Sequence, residues 1–127
     1  LDETSTQVPY VLGRLFAITE SLQYRAHGVR VGATIRDRFF SPAMQRPAST
    51  FPRLMVLSRA HGKKAYHRVG SSWYEAQKDQ ILSLLGTSSL PPVLSLSEQG
   101  LFILGYHQQR GAIFAYAASV QPKTTDQ

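Results

Sequence analysis

The chain has 127 residues and a formal net charge of +6, with 43% hydrophobic and 17% charged residues. This length fits one domain with its own hydrophobic core, in which we expect residues 1–8 and 121–127 to be flexible tails. The absence of cysteine excludes disulfides, thiolate chemistry and cysteine-based zinc sites, and it fits a cytoplasmic protein.

Hydrophobic residues recur at helical spacing between residues 9 and 26, which predicts a first amphipathic helix that ends before Gly28. Thr34 and Asp37 have the spacing of a capping box, a pair whose side chains bond each other's backbone N–H at a helix start. They predict a short second helix that runs through Phe40.

Two prolines, Pro42 and Pro47, predict a loop after the second helix. A third helix is expected over about residues 49–61, and Gly62 is expected to end it because glycine commonly follows the last turn of a helix. The loop and this helix both carry arginine residues, so their placement matters for the surface charge.

Two further capping-box pairs predict helices in the second half of the chain: Ser72 with Glu75, and Ser95 with Glu98. The fifth helix begins near Ser95, and its first half is apolar nearly all round, which predicts a helix buried among others. Close approach to neighbouring helices is the expected reason for its three glycines, Gly100, Gly105 and Gly111. No segment shows β alternation, so the sequence predicts an all-α protein, a bundle of about five helices.

Positive charge is concentrated in one part of the chain. Residues 21–70 hold ten of the fourteen Lys and Arg residues and a single acid, Asp37. A nucleic acid is the expected partner, because each phosphate that a cation neutralises releases condensed counterions. The cations span helices and loops, which favours backbone contacts over base readout. The candidate contact residues are Arg36, Arg38, Arg46, Arg53, Arg59, Lys63 and Lys64.

Two other interpretations of the basic segment stay open. It could dock on an acidic protein, in which case the chain is a helical adaptor, or it could simply be a solvated face. Tyr66, which lies between Lys64 and Arg68, could stack on an unpaired base or pack in the core.

The sequence offers little for catalysis, metal binding or membrane insertion. The four histidines have no acid or cysteine cluster beside them, so no metal and no cofactor are expected. The acids are scattered, and only Glu75 and Asp79 could share a helix face, so we do not expect an enzyme. Residues 99–122 carry one charge, but the polar residues 107–110 in their middle would make membrane insertion costly.

Four stretches resemble a known family. ATIRDRFFSPA (33–43) with PASTFPRLMVLSRAH (47–61), LSLSEQGLFILGYHQQR (94–110) and YVLGRLFAITESLQ (10–23) are similar to the C-terminal region of the Csd-type large subunit of type I-C CRISPR Cascade. In such systems this region is also made as a separate protein, the Cascade small subunit, and a chain of this length resembles that product.

The resemblance implies a non-catalytic helical bundle inside an RNA-guided complex. The chain would line the crRNA–target duplex and hold the displaced DNA strand of the R-loop, while guide pairing supplies sequence specificity. The implied partners are the backbone and large subunits of Cascade, the crRNA and the target DNA, with more than one copy of the chain in each complex.

Overall fold

The computed structural model describes residues 1–27, 35–64, 71–87 and 89–120, and these ranges contain five α-helices. The prediction of an all-α bundle is therefore confirmed. No helix in these ranges is long and apolar enough to cross a membrane. The helices are α1 (Val8–His27), α2 (Ile35–Gln45), α3 (Pro47–Lys64), α4 (Ser71–Leu85) and α5 (Leu96–Val120).

Helix α1 is the centre of the bundle. It packs along α5 and also contacts α2, α3 and α4, so residues 9–20 are all buried. The amphipathic pattern predicted a polar side exposed to solvent. The polar side chains of Arg14 and Thr19 are instead buried and form hydrogen bonds inside the bundle. Thr19 donates a hydrogen bond to the carbonyl oxygen of Leu15 (2.8 Å), and the Arg14 Nε donates to the Gln109 Oε1 on α5 (2.8 Å).

Helices α1 and α5 cross at two glycines. A Cβ atom at Gly105 would overlap the backbone carbonyl of Tyr10, and a Cβ atom at Gly13 would overlap the backbone carbonyl of Phe102. The close approach predicted for Gly105 is thus present, and Gly13 is its unpredicted counterpart on α1. The same prediction is wrong for Gly100 and Gly111, because nothing lies within 4 Å of an added Cβ at either position.

Helix α5 is not buried all round, in contrast to the prediction. One side of it packs on α1 through Phe102 and Tyr106, which have no exposed surface. Away from that side, Leu104 and Phe114 are 46% and 59% exposed. Among the described residues, the main packing partner of α5 is α1, so apolar residues that do not face α1 are left exposed.

The prolines lie inside helices, where a loop was predicted. Pro42 is within α2, although it lacks the N–H that would bond to the carbonyl four residues earlier. The burial of Ala43 against the core holds that turn in place. Pro47 is the first residue of α3, a position where proline is tolerated because the N–H there has no helical partner. Helix α3 continues past Gly62 to Lys64.

The cap of α5 forms as predicted, whereas the one predicted for α4 does not. The Ser95 N–H donates to the Glu98 Oε1 (2.8 Å), and the Glu98 N–H donates to the Ser95 Oγ (3.2 Å). Helix α4 begins at Ser71, which places Ser72 inside the first turn rather than at its cap. The pair Thr34 and Asp37 includes a position outside the described residues.

Candidate nucleic-acid interface

Six of the seven predicted contact residues have exposed side chains in the structure. They come from α2, from the residue between α2 and α3, and from α3. The side chain of the seventh, Lys64, lies outside the described residues, as do Tyr66 and Arg68. The exposed six are Arg36, Arg38, Arg46, Arg53, Arg59 and Lys63.

The cations of α3 leave the helix on two sides. With about 100° of rotation per residue, Arg53 and Arg59 are separated by roughly 120° around the helix. Arg59 and Lys63 are four residues apart and share a side, as the sequence spacing predicted for a helix that continues this far. Arg46 directly precedes α3 and does not follow its helical rotation. The basic segment is therefore a surface that wraps around α3 rather than one flat face.

Arg38 and Arg53 meet across the ring of Phe39. The guanidinium carbons of Arg38 and Arg53 lie 5.1 and 5.5 Å from the ring centre, although one residue belongs to α2 and the other to α3. The two arginines border a shallow cleft of about 340 Å³ that Val56 and Leu57 also line. Contact with an aromatic ring restricts each guanidinium, so less conformational entropy is lost when it binds a phosphate.

Arg36 points to a different part of the molecule. Its guanidinium carbon lies 5.9 Å from the ring centre of Tyr106 on α5, and that of Arg110 lies 5.5 Å from the same centre. Arg110 is not among the seven predicted contact residues, because it is an isolated charge in an apolar segment. That Arg36 approaches the same ring depends on the packing of α2 against α5, which no local sequence pattern indicates.

A buried carboxylate lies beneath these two arginines. Glu20 on α1 is 4% exposed; its Oε1 accepts a hydrogen bond from the Tyr106 hydroxyl (2.7 Å) and lies 3.8 Å from the Arg110 Nε. Burial, together with the hydrogen bond to Glu20, raises the pKa of the Tyr106 hydroxyl far above its ordinary value. The phenol therefore stays protonated and keeps donating to Glu20.

The exposed cations have no acidic partners among the described residues. The ion pairs within these ranges are Lys78–Glu75 (3.3 Å) and Arg110–Glu20 (3.8 Å), and neither includes one of the six exposed cations. Because this charge is not neutralised within the described structure, it is available to an anionic partner.

Glu75 and Asp79, the two acids whose spacing could place them on one helix face, both lie on α4. Asp79 is exposed, whereas Glu75 is partly buried and pairs with Lys78. Within residues 1–27, 35–64, 71–87 and 89–120, no group of three or more His, Cys, Asp or Glu residues is arranged to hold a metal ion. Of the histidines, His61 is buried in α3 and His107 is exposed on α5.

Fold and surface together define a small all-α protein with a strongly cationic surface formed by its second and third helices. A protein-family model described as "CRISPR-associated protein (Cas_Csd1)" matches residues 1–114. The chain therefore belongs to this CRISPR-associated family, which confirms the resemblance to the Csd-type protein stated from the sequence. No curated protein matches the chain.

Proposed function

We propose that the chain is the non-catalytic, nucleic-acid-binding small subunit of a type I-C Cascade. In this role it lines the crRNA–target duplex and stabilises the displaced DNA strand of the R-loop through contacts to the phosphate backbone. Its partners are the backbone and large subunits, the crRNA and the target DNA, and more than one copy assembles in each complex in the cytoplasm. Membership of the CRISPR-associated family supports a role within a CRISPR complex.

The observation that carries the proposal is a set of six exposed cations on and between α2 and α3, none of which forms an ion pair with an acid among the described residues. Five of the six are arginines, whose planar fork of donors matches the oxygens of a phosphate. They leave the molecule in several directions, so they can follow a curved backbone but cannot enter one groove together. Such an arrangement binds nucleic acid without reading its sequence.

Two paired substitutions test the role of the exposed cations. Arg59→Gln with Lys63→Gln removes two charges from one side of α3, and Arg38→Gln with Arg53→Gln removes two from the cleft over Phe39. We expect each pair to weaken the binding of mixed-sequence single-stranded DNA, measured by fluorescence anisotropy. The slope of log K against log salt should fall in magnitude by about 0.7 for each phosphate that the variant no longer neutralises.

The matched control changes the net charge equally at another place. Ser72→Glu with Gln80→Glu adds two negative charges on exposed positions of α4, a helix that packs on α1 and carries none of the candidate residues. If this control weakens binding as much as the two paired substitutions do, the loss of affinity is an effect of net charge. The assignment of a binding surface is then wrong. Melting temperatures of all three variants should match the wild type, because exposed charges contribute little to stability.

Assembly is tested by co-purification. We expect the tagged full chain to retain crRNA and other Cascade subunits when they are co-expressed, and a target R-loop to form less readily when Arg59 and Lys63 are both changed to Glu. A complex that assembles and opens its target equally well with the charge-reversed chain would contradict the proposed role.

A helical adaptor is the second candidate function. The observation that favours it is the exposed apolar side of α5, where Leu96 is 85% exposed and Leu104 and Phe114 are about half exposed. An adaptor would bind its protein partner and show no salt-dependent affinity for single-stranded DNA. The anisotropy experiment therefore separates the two candidates.

A further inference from the structure

A second cleft, separate from the one over Phe39, opens between α1, α4 and α5. It has a volume of about 360 Å³ and is bordered by apolar, aromatic and charged side chains. Small-molecule sites in proteins range from about 300 to 1,000 Å³, so this cleft has room for one nucleotide but not for a folded peptide element. Its charged and aromatic lining residues are Glu20, Tyr24, Arg25, Tyr74, Arg110 and Phe114.

Two guanidinium groups in the cleft are already stacked on aromatic rings. The Arg25 guanidinium carbon lies 4.2 Å from the centre of the Tyr74 ring, and that of Arg110 lies 5.1 Å from the centre of the Phe114 ring. Stacking of this kind holds a guanidinium plane in place before any ligand arrives. Arginine planes and aromatic faces are the two surfaces on which proteins stack unpaired bases.

The mouth of the cleft is aromatic and accessible. Tyr24 and Phe114 are 38% and 59% exposed, so their rings are accessible to a ligand that enters the cleft. The inner wall is polar, because the buried Glu20 carboxylate lines it. A carboxylate accepts hydrogen bonds from the amino group of a base and would repel a phosphate or an acidic peptide.

We propose that this cleft binds one unpaired base of a single-stranded nucleic acid, stacked at Phe114 and Tyr24 with its amino group directed at Glu20. Arg110 links the cleft to the phosphate-binding residues, since it and Arg36 approach the same ring of Tyr106. The inference deepens the proposed function and rests on it: the exposed arginines and lysines hold the backbone, and the cleft takes a base from the same strand.

An abasic strand distinguishes base binding from backbone binding. Two single-stranded DNAs of equal length, one with mixed bases and one built from tetrahydrofuran abasic residues, carry the same phosphates. We expect the wild-type chain to bind the strand with bases at least about fivefold more tightly at low salt, since each stacked base contributes at least that factor.

One substitution then assigns the preference to the cleft. Phe114→Leu keeps an apolar side chain at an exposed position and removes the aromatic face, so folding is unaffected while the preference for bases falls. Affinity for the abasic strand should not change. The matched control is Leu104→Ala on the same helix, which is 46% exposed and does not line the cleft, and it should keep the full preference.

The outcomes separate the two proposals. A wild-type chain that binds both strands equally, or a Phe114→Leu variant that keeps the preference for bases, overturns the base site and leaves backbone binding standing. A wild-type chain that binds neither strand overturns the proposed function and the base site together. If the Leu104→Ala control loses as much of the preference for bases as Phe114→Leu does, the base site in the cleft is also overturned. The effect would then belong to α5 as a whole.

Discussion

The crossing of α1 and α5 allows two chemically identical substitutions on one helix to be compared. Gly105→Ala places a Cβ where the backbone carbonyl of Tyr10 lies, and a backbone atom cannot rotate away as a side chain would. Gly111→Ala, six residues later, places the same atom in open space. The two variants therefore have the same change in intrinsic helix propensity and differ only in packing.

The magnitudes follow from two opposing terms. Replacing glycine by alanine inside a helix is favourable by up to about 1 kcal/mol. Overpacking costs about 1–3 kcal/mol, and the rigid obstacle at Gly105 places it in the upper part of that range. We expect Gly105→Ala to lose a net 1–2 kcal/mol approximately and Gly111→Ala to gain about 0.5–1 kcal/mol. Gly105→Leu should lose more than Gly105→Ala.

Urea unfolding followed by circular dichroism measures the difference directly. The free energies of unfolding of the two alanine variants should have opposite signs relative to the wild type, with similar m-values. A Gly105→Ala variant that is at least as stable as Gly111→Ala would refute the close crossing and, with it, the placement of α1 at the centre of the bundle.

Three further changes probe the buried polar groups and the acids. Tyr106→Phe removes the hydroxyl that donates to the buried Glu20, and unfolding should show a loss of about 1–3 kcal/mol. Arg14→Met removes two buried groups, Nη1 and Nη2, that have no hydrogen-bond partner among the described residues, but it also removes the bond from Nε to Gln109; because these effects oppose each other, stability in the same assay should change by less than about 1 kcal/mol. Glu75→Ala with Asp79→Ala should preserve DNA binding; metal-dependent strand cleavage that this variant loses would contradict a non-catalytic protein.

The segments that form helices could be predicted from the sequence, because the apolar spacing and the Ser95–Glu98 cap are local features. The burial of α1 and the partial exposure of α5 could not. Arg14 and Glu20 make α1 look like a surface helix, yet their partners, Gln109 and Tyr106, lie almost a hundred residues later on α5. Burial of these polar groups depends on tertiary hydrogen bonds that periodicity cannot show.

The exposure of the cations in the candidate interface could be predicted from charge alone, since a segment with ten Lys and Arg residues and one acidic residue cannot neutralise itself. Their grouping could not. Arg38 and Arg53, from different helices, both approach the ring of Phe39, and Arg36 and Arg110 both approach the ring of Tyr106. The second cleft is lined by residues of three helices, so no single stretch of sequence could indicate it.

The salt dependence of DNA binding decides whether the chain holds nucleic acid through its phosphates. Affinity of the wild-type chain for single-stranded DNA of mixed sequence would be measured by anisotropy from low to moderate salt. If three to five phosphates are engaged, the slope of log K against log salt should be about −2 to −3.5, with little change between sequences. An affinity that stays flat over this range would contradict a backbone-binding subunit.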